Sequence, residues 1–438
     1  MTQEWVPYGQ GSAVQESIAL AGALDKQGVS IKPLHQGYEE TEPGDDNPVL
    51  QEMRQFGSEM SGKYNPATGH AEATRNFGHF ARDFLGLPDD HVFTVQTNGR
   101  VGLGHAFKRL AALYPSTDLH KLVALVPKSC WPMVADEAQD ERITNYAEYD
   151  VRRGQIADSV IEALDNDRGT DRIAVLYSNF PHNPTGLFAS RKEIAAIQSR
   201  LDDINADRQK RGQPPIVHVC DDPYFMGLPQ NDTAPFIDSP YAGQFQVGGP
   251  TPSIHLISLS KALATARPGF HGAVYTNSDM ADAHKKFLTR NVGVSFVPEF
   301  MHAVASMLDP DNADHLKAHF TKIHEKYTRN NAIFDKTVPT AVDGDPGMTR
   351  VLSVPDTALS KRVDFHGTDI DVRTTRDVCA YIANTSGTIV VAQAEGGEEN
   401  LIRVALKSEN PEMIEKGCKD IANALKELEN AAPIPAAA

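Results

Sequence analysis

The sequence predicts an α/β protein with a mostly parallel sheet in a large domain and a smaller α+β domain. The chain has 438 residues, which exceeds the ~250–300 residues that one hydrophobic core supports, so two domains are expected. Several short apolar runs lack two-residue alternation and are bounded by turn signals, which indicates strands buried on both faces. Segments with helical periodicity lie between these runs, and this alternation is typical of a parallel sheet.

The predicted strands and helices of the large domain share this alternation. The strands are predicted at Leu122–Val126, Ile173–Tyr177, Ile216–Cys220, Ile254–Ser258 and Gly272–Tyr275. The helices are predicted at Ala71–Phe84, Val101–Leu113 and Lys192–Ile204. In the first helix, Phe77, Phe80 and Phe84 lie on one side, which gives it an apolar face for packing.

The remaining elements assign the chain ends to the smaller domain. One long helix, Ala313–Phe334, is followed by strands at Arg350–Val354, Ile389–Gln393 and Leu401–Ala405 and by a helix at Pro411–Leu428. The first 45 residues carry one helix, Ala13–Lys26. We therefore expect residues 1–45 to join the small domain, residues 46–324 to form the large domain and residues 325–438 to complete the small one. The tail at 431–438 is low in complexity and is expected to fray.

Composition excludes several function classes. The formal charge is −16, so the chain lacks the basic footprint that a nucleic-acid-binding protein needs. It contains no run of about 18 apolar residues for a membrane span and no signal-peptide pattern at its start. The four cysteines show neither disulfide-scaffold nor zinc-ligand spacing, so no metal site is predicted. These features predict a cytoplasmic protein that acts on small molecules.

Five groups of chemically useful residues follow predicted strands or open a helix. The carboxyl ends of parallel strands meet at one edge of a sheet, where ligands bind, so the groups are expected to cluster. Ser258 and Lys261 follow one strand. A confined lysine has a lowered pKa, and its neutral amine can form a Schiff base. The alternative for Lys261 is a solvated surface lysine.

Asp221 and Tyr224 follow another strand. A carboxylate at a buried strand end needs a partner, and a protonated pyridine nitrogen is one such partner. Tyr224 could then donate to a phenolic oxygen of the same ring, which the amide of Asn183, in Asn183-Pro184-Thr185-Gly186, could also reach. The structural alternatives are a helix cap with a core tyrosine for the first pair and an ordinary turn for Asn183.

The other two groups are suited to a phosphate and to a ring face. Asn98, Gly99 and Arg100 open a helix, where free N–H groups favour an anion and glycine permits its close approach. Trp131 follows the strand at Leu122–Val126 and could stack on a flat heterocycle, although core packing is commoner for tryptophan. Each feature alone has an ordinary structural explanation. Together the five groups match a phosphorylated, protonated pyridine aldehyde, which is pyridoxal 5′-phosphate (PLP).

The ordered motifs resemble those of the fold-type I PLP-dependent aminotransferases, the aspartate aminotransferase superfamily of class I/II. The matching series runs from about residue 30 to 425. Its members are Y-x-P-x-x-G at Tyr64–Gly69, the turn at Asn98–Arg100, Trp131, H-N-P-T-G at His182–Gly186, D-x-x-Y at Asp221–Tyr224, S-x-S-K at Ser258–Lys261 and the late Arg403. The resemblance implies a PLP enzyme that works as a homodimer with shared active sites.

The resemblance also implies a role for each matched residue. Lys261 resembles the Schiff-base lysine and proton shuttle, and Asp221 the partner of the pyridine nitrogen. Tyr64 resembles the tyrosine that reaches the phosphate of the neighbouring subunit. The remaining roles are the ring-oxygen ligands Asn183 and Tyr224, the phosphate ligands Asn98, Gly99, Arg100 and Ser258, the carboxylate-binding Arg403 and the substrate-covering Gly37.

The sequence departs from the family pattern at three places. The usual phosphate-binding arginine, eight residues after the lysine, is replaced by Gly269. Arg267 and His271 are the candidate substitutes, and Arg267 is favoured because its charge is permanent. Arg100 stands where many relatives carry a small residue. Arg290 lies near the position of a dicarboxylate-binding arginine, although a surface helix position fits it equally well.

The function that this resemblance implies is transfer of an amino group between an L-amino acid and a 2-oxo acid through a Lys261 Schiff base. The alternative is a PLP-dependent lyase, cyclase or oxidase of the same fold, because those enzymes share the cofactor-binding residues. A regulator built on an inactive fold is disfavoured, because Lys261 and Asp221 are both retained and the chain is acidic.

Overall fold

A computed structural model describes most of the chain. The described residues are 3–36, 65–66, 70–88, 91–95, 99–114, 119–131, 133–166, 172–229, 236, 250–259, 261, 270–291, 294–295, 298–394 and 400–435.

The described residues form α-helices and β-strands in the following order. The helices are α1 Ala13–Lys26, α2 Ala71–Phe80, α3 Gly99–Ala111, α4 Met133–Asp140, α5 Ile156–Asn166, α6 Arg191–Lys210, α7 Ser278–Asn291, α8 Pro298–Met307, α9 Ala313–Thr337, α10 Thr375–Ser386 and α11 Pro411–Asn430. The strands are β1 Lys32–Pro33, β2 Asn65–Pro66, β3 Val92–Val95, β4 Val123–Pro127, β5 Asn145–Tyr149, β6 Ile173–Ser178, β7 Val217–Asp221, β8 Ser253–Ser258, β9 His271–Tyr275, β10 Val294–Ser295, β11 Thr349–Ser353, β12 Lys361–Phe365, β13 Thr368–Val372, β14 Thr388–Ile389, β15 Val391–Ala394, β16 Leu401–Ala405 and β17 Ala432–Pro433.

The chain divides into two compact units. The larger unit comprises Tyr38–Asn183 and Leu187–His324, and the smaller comprises Met1–Gly37, Pro184–Gly186 and Glu325–Ala438. The predicted α/β class, with a mostly parallel sheet and a separate α+β part, is confirmed. The domain boundaries predicted after residues 45 and 324 stay a prediction.

A seven-stranded sheet, counted over the described residues, organises the larger unit. Its strand order is β3-β9-β8-β7-β6-β4-β5. Strands β4 to β8 pair in parallel, whereas β9 is antiparallel to both β8 and β3. The carboxyl ends of β3, β4, β6, β7 and β8 therefore lie along one edge, where β9 begins.

Burial on both faces explains the continuous apolar runs of the central strands. Every residue of β4, β6, β7 and β8 is buried. On one face Val219 joins a core that includes Phe107 of α3. On the other face its neighbour Cys220 joins a core that includes Ile197 of α6. Helices thus cover both sides of the sheet, as a parallel arrangement requires.

Local sequence fixes several helix ends in the two units. Helix α6 begins with a capping box in which Ser190 and Glu193 satisfy each other's backbone N–H groups, and Thr374 and Asp377 do the same for α10. Helix α10 ends at Gly387, which has φ 74°. A β-carbon at Gly387 would lie 2.2 Å from the Ser30 carbonyl oxygen, so this turn requires glycine in both conformation and space.

The smaller unit combines two antiparallel sheets with helices. Strands β11, β16 and β15 form one sheet, and β13, β12 and β17 form the other. Helices α10 and α11 pack on each other and share a core with Leu20 and Leu24 of α1. The N-terminal helix therefore belongs to the same core as the C-terminal residues.

The structure differs from the element predictions in identifiable ways. Strand β5 was missed because its sequence, Asn145-Tyr-Ala-Glu-Tyr149, is polar. The strand lies at the edge of the sheet, where most of its side chains are only partly buried. The expectation of a frayed tail is wrong for Ala432–Pro433, which pairs with Lys361 and Arg362 of β12. Within the described residues, no helix is both long and apolar enough to cross a membrane.

Candidate active site

The carboxyl edge of the large sheet collects most of the predicted site residues that the structure describes. Trp131 follows β4, Asn183 follows β6, Asp221 ends β7 and Lys261 follows β8. Since these strands are parallel, their ends lie side by side. The topology therefore brings residues that are far apart in sequence to one edge.

Asp221 is a buried carboxyl group with a specific donor. The Tyr177 hydroxyl donates a 2.7 Å hydrogen bond to Asp221 Oδ2. Burial raises the pKa of Asp221 to about 7, while the Tyr177 hydrogen bond lowers it, the Asp222 charge raises it and the Lys261 charge lowers it. A carboxyl in this environment is stabilised in its ionised form by a further cation, and the ring nitrogen of a pyridinium is a cation of suitable shape.

Asn179 connects two loops of the site. Its side-chain Nδ2 donates to the Asp221 backbone oxygen at 2.7 Å, and its Oδ1 accepts the Asn183 backbone N–H at 3.0 Å. Asn179 is buried at the end of β6. Neither Asn179 nor Tyr177 was predicted from the sequence to have a role in the site. The signal that could have found Asn179 is its position directly after a central strand, whereas Tyr177 lies within that strand.

Lys261 and Tyr224 follow the two neighbouring strands. Lys261 lies three residues beyond the end of β8 and is partly exposed, and its charge acts on Asp221. Tyr224 lies three residues beyond Asp221 and is buried at the start of a short 3₁₀ turn, Phe225–Gly227. An amine, a carboxyl group and a phenol are thus held on adjacent strand ends.

The start of α3 lies at the same edge. Strand register pairs His271 with Val95 of β3 on one side and with Ser258 of β8 on the other. Helix α3 begins at Gly99, and Gly102 in its first turn lies against His271, the strand partner of Ser258, so the start of the helix is near Ser258. This is the arrangement that an anion-binding helix start requires.

His271 occupies the space beneath this helix start. A β-carbon at Gly102 would lie 2.2 Å from His271 Nε2, so the ring packs directly against the helix backbone. Among the described residues neither ring nitrogen has a hydrogen-bond partner, and burial lowers the pKa of His271 to about 3. The neutral ring lacks the positive charge that the arginine usual in the family would supply.

Trp131 and Arg290 are both near the surface. Trp131 is 37% exposed after the turn that follows β4, in which Ser129 has φ 60°. Its ring is therefore only partly covered by protein. Arg290 is exposed in the last turn of α7, which fits the surface helix position.

Several predicted residues cannot be placed. Gly37, Tyr64, Asn98 and Arg267 lie outside the described residues, and Gly99 and Arg100 are described only as part of α3.

Arg403 lies in the smaller unit, in the middle strand of its sheet. It is 7% exposed in β16, and its Nη2 donates to the His35 backbone oxygen at 3.2 Å. Two more hydrogen bonds join this strand region to the N-terminal segment. The Ala405 N–H donates to the Leu34 backbone oxygen at 2.8 Å, and Lys407 Nζ donates to Gln36 Oε1 at 3.1 Å. The segment that leads into Gly37 is therefore fixed beside Arg403.

The described residues fit PLP as a cofactor. A buried carboxyl suits the ring nitrogen, a nearby lysine suits the aldehyde, and a helix start next to Ser258 suits the phosphate. The fit rests on this donor set at one edge of the sheet.

Comparison with known proteins agrees with this geometry. Three solved aspartate aminotransferases share the fold. The structure from Rhizobium meliloti has a TM-score of 0.72 and 16% identity, with 95% of this chain and 96% of that chain covered. The structure from Thermotoga maritima has a TM-score of 0.71, 15% identity and coverages of 95% and 98%. A single mutant from Thermus thermophilus has a TM-score of 0.71, 16% identity and coverages of 95% and 97%.

A search of curated proteins found no match. The model of the family described as "Aminotransferase class I and II" matches residues 46–421, which is most of the chain. The match includes both the sheet edge with Asp221 and Lys261 and the strand with Arg403. The resemblance inferred from the motifs is confirmed, and the chain belongs to the aminotransferase class I and II family.

Proposed function

We propose that this protein transfers an amino group between an L-amino acid and a 2-oxo acid, with PLP attached at Lys261. Family membership supports transamination in general. The observation that carries the finer proposal is the buried Asp221 carboxyl. It accepts a hydrogen bond from the Tyr177 hydroxyl, and the Lys261 charge lowers its pKa.

The cofactor supplies an electron-accepting ring that stabilises negative charge at the substrate Cα. Asp221 would hold the ring nitrogen in its protonated form, and Tyr177 orients that carboxylate. Asn183 and Tyr224 would donate to the ring oxygen, and Trp131 would stack on the ring. The phosphate would be held by Ser258 and by the start of α3 with Asn98, Gly99 and Arg100, and Arg267 would supply a permanent positive charge.

Lys261 has two tasks in this proposal. Its amine would hold the cofactor through the aldehyde, and as a free amine it would move the proton at the substrate Cα. Proton transfer by a positioned side chain contributes about 10²–10⁴-fold to such reactions.

Arg403 binds the substrate α-carboxylate in this proposal, because a planar guanidinium can donate to both oxygens. Its strand also holds the segment that leads to Gly37, which would lie over the substrate. Tyr64 reaches the phosphate of a second copy of the chain, so the working form is a homodimer.

The test is a half-reaction with purified protein and PLP. A panel of L-amino acids is added without an oxo acid, and absorbance is followed. For the correct donor, the band of the lysine-bound cofactor should convert to that of pyridoxamine phosphate, with one oxo acid released per site. Release of ammonia, a sulfur product or peroxide would instead favour the lyase, cyclase or oxidase alternative.

Two variants make the assignment of Lys261 specific. Lys261→Ala should hold PLP without the lysine-bound absorbance band and lose turnover by about 10²-fold or more. Lys285→Ala removes an exposed lysine of α7 and should behave as wild type. Comparable turnover in both variants would refute the role of Lys261.

A further inference from the structure

A single buried asparagine is hydrogen bonded to the backbone of two proposed ring ligands. Asn179 directly follows β6 and is 5% exposed. Its Nδ2 donates to the Asp221 backbone oxygen at 2.7 Å, and its Oδ1 accepts the Asn183 backbone N–H at 3.0 Å. One side chain therefore joins the end of β7 to the turn that carries Asn183.

Strand pairing explains why the end of β7 needs this side chain. The ladder between β6 and β7 ends at the pair of Ser178 and Cys220, one residue before Asp221. On the opposite side β8 continues, because Leu256 pairs with Asp221 and its oxygen accepts the next backbone N–H at 2.8 Å. Asn179 thus replaces backbone pairing on the side where the ladder has ended, and it satisfies the carbonyl group of a buried residue.

The turn at Asn183 is closed by the same side chain. Asn179 and Asn183 are four residues apart, so the hydrogen bond from the Asn183 N–H fixes Asn183 against the end of β6. A second hydrogen bond, from the His182 N–H to the Leu187 oxygen at 2.8 Å, supports the turn one residue earlier. Side-chain hydrogen bonds of this kind order a segment that has no strand partner.

The opposite end of β7 has a matching asparagine. Asn205 of α6 is 6% exposed, its Oδ1 accepts the Ile216 backbone N–H at 2.7 Å, and its Nδ2 donates to the Ile216 backbone oxygen at 2.9 Å. A buried asparagine therefore holds the backbone at each end of β7. Of these two residues, Asn179 is the one that is hydrogen bonded to proposed ring ligands.

A rigid ring makes the separation of its ligands important. The planar PLP ring fixes the distance between its nitrogen and its phenolic oxygen. The carboxyl group for the nitrogen and the amide for the oxygen must therefore keep one separation to meet both atoms. Asp221 ends β7 and Asn183 follows β6, so their separation depends on what joins the two strand ends. Supporting hydrogen bonds of this kind hold ligand-binding groups in a productive geometry.

We propose that Asn179 is a positioning residue that sets the separation between the Asp221 carboxyl group and the Asn183 amide, so that both meet one cofactor ring. This inference rests on the proposed function. Asn179 acts through its hydrogen bonds to the two ligands and touches neither the ring nor the substrate.

The first experiment needs no cofactor. Hydrogen exchange of the Asn183 amide is measured in cofactor-free protein by mass spectrometry with fragmentation to single residues. Asn179→Leu keeps a similar side-chain size but cannot form either hydrogen bond, so exchange at Asn183 should be roughly tenfold faster or more. Asn205→Leu is the matched control and should leave this exchange unchanged. Equal exchange in the wild type and Asn179→Leu would overturn the inference, whatever reaction the protein performs.

The second experiment measures the consequence for the cofactor. PLP is added, and the absorbance band of the lysine-bound cofactor is titrated from pH 5 to 10. A donor at the phenolic oxygen and a proton on the ring nitrogen both make the lysine-bound nitrogen more acidic, because each offsets negative charge on the ring. Asn179→Leu should therefore raise the titration midpoint by about one pH unit and weaken PLP affinity about tenfold.

A purely structural role for Asn179 gives a different pattern. Asn179→Leu and Asn205→Leu should lower the melting temperature by similar amounts, since each breaks two hydrogen bonds to the backbone. Of these two variants, Asn179→Leu alone should move the midpoint. Asn179→Ser is a milder second variant, because water can enter the space that the shorter side chain leaves, and it should shift the midpoint in the same direction.

The outcomes separate this inference from the proposed function. A normal wild-type band with an unchanged midpoint in both Asn179 variants would overturn the inference alone. An equal shift in Asn205→Leu would also overturn it, because a general loss of stability would then explain the effect. A wild type that forms no lysine-bound band with PLP would overturn the proposed function, and the inference with it.

Discussion

Asp221 is a residue whose burial favours its protonated form. Its pKa in the cofactor-free protein is raised from 3.8 to about 7, chiefly by burial. The folded chain therefore keeps a proton that the unfolded chain has already lost between these values. The stability contributed by this group is present below pH 3.8 and is lost as pH rises through 7.

This sign gives a prediction for Asp221→Asn. The variant removes the ionisable group but keeps an oxygen that can accept the Tyr177 hydroxyl. In cofactor-free protein the variant should be more stable than the wild type at pH 8, and the difference should shrink by about 1.4 kcal/mol per pH unit below pH 7. Urea unfolding at pH 4.5, 6 and 8 measures it. Equal differences at all three pH values would contradict the prediction.

The sequence predicted the residues that follow strands and missed those inside them. Asp221, Lys261 and Tyr224 were predictable because a charged or phenolic group directly after an apolar run stands out. Tyr177 lies within a strand, where the surrounding apolar residues make it appear to be a core position. Its neighbours depend on strand register, which a single sequence does not provide.

At the scale of the element, α3 depends on one glycine. Gly102 lies against the His271 ring so closely that a β-carbon would be 2.2 Å from Nε2. Gly102→Ala should therefore displace the start of the helix, destabilise the protein by about 1–3 kcal/mol and weaken PLP binding. Thermal unfolding and a cofactor titration measure the two effects.

Two companion variants test that cause. Gly102→Ala/His271→Ala should recover part of the stability, since the clashing ring is gone and the two positions are in contact. Gly22→Ala places a β-carbon in open space on α1 and should be neutral or slightly stabilising. Equal changes in stability for the two glycine variants would contradict the role of the His271 contact.

Elements were predictable where pattern and burial agree. The central strands β4, β6, β7 and β8 were found within one residue of their ends because they are buried on both faces. The hairpin β12–β13 was missed, because its strands are rich in charged residues such as Lys361 and Asp371. Short polar strands form because they pair with other strands. Composition does not identify those partner strands.

At the scale of the whole molecule, the proposed homodimer can be tested by mixing variants, because each active site would need residues from two chains. If Tyr64 serves the phosphate of the other subunit, Tyr64→Ala and Lys261→Ala damage different halves of each shared site. Mixing the two weakly active variants should produce hybrid dimers with one intact site, and activity per hybrid should approach half of the wild-type value. Mixed-subunit assays after reversible dissociation measure this, and ultracentrifugation verifies the dimer.

The control for this experiment is a pair of variants that damage the same half. Lys261→Ala mixed with Asp221→Asn should gain no activity, because both residues belong to the same described sheet edge. Recovery in that mixture would contradict the assignment of Lys261 and Asp221 to the same half of the site, and no recovery in the first mixture would contradict the assignment of Tyr64 to the partner's site.

The reversed direction of β9 places its last residue at the edge of the large sheet opposite the candidate site. Because β9 begins where its neighbours finish, the chain leaves it at Tyr275 on the far side of the sheet and enters α7 at Ser278. The two connecting residues, Thr276 and Asn277, are therefore about a strand length away from Lys261. A peptide tag grafted between them should be carried on the side remote from the chemistry, which makes this connection a suitable place to immobilise or label the protein.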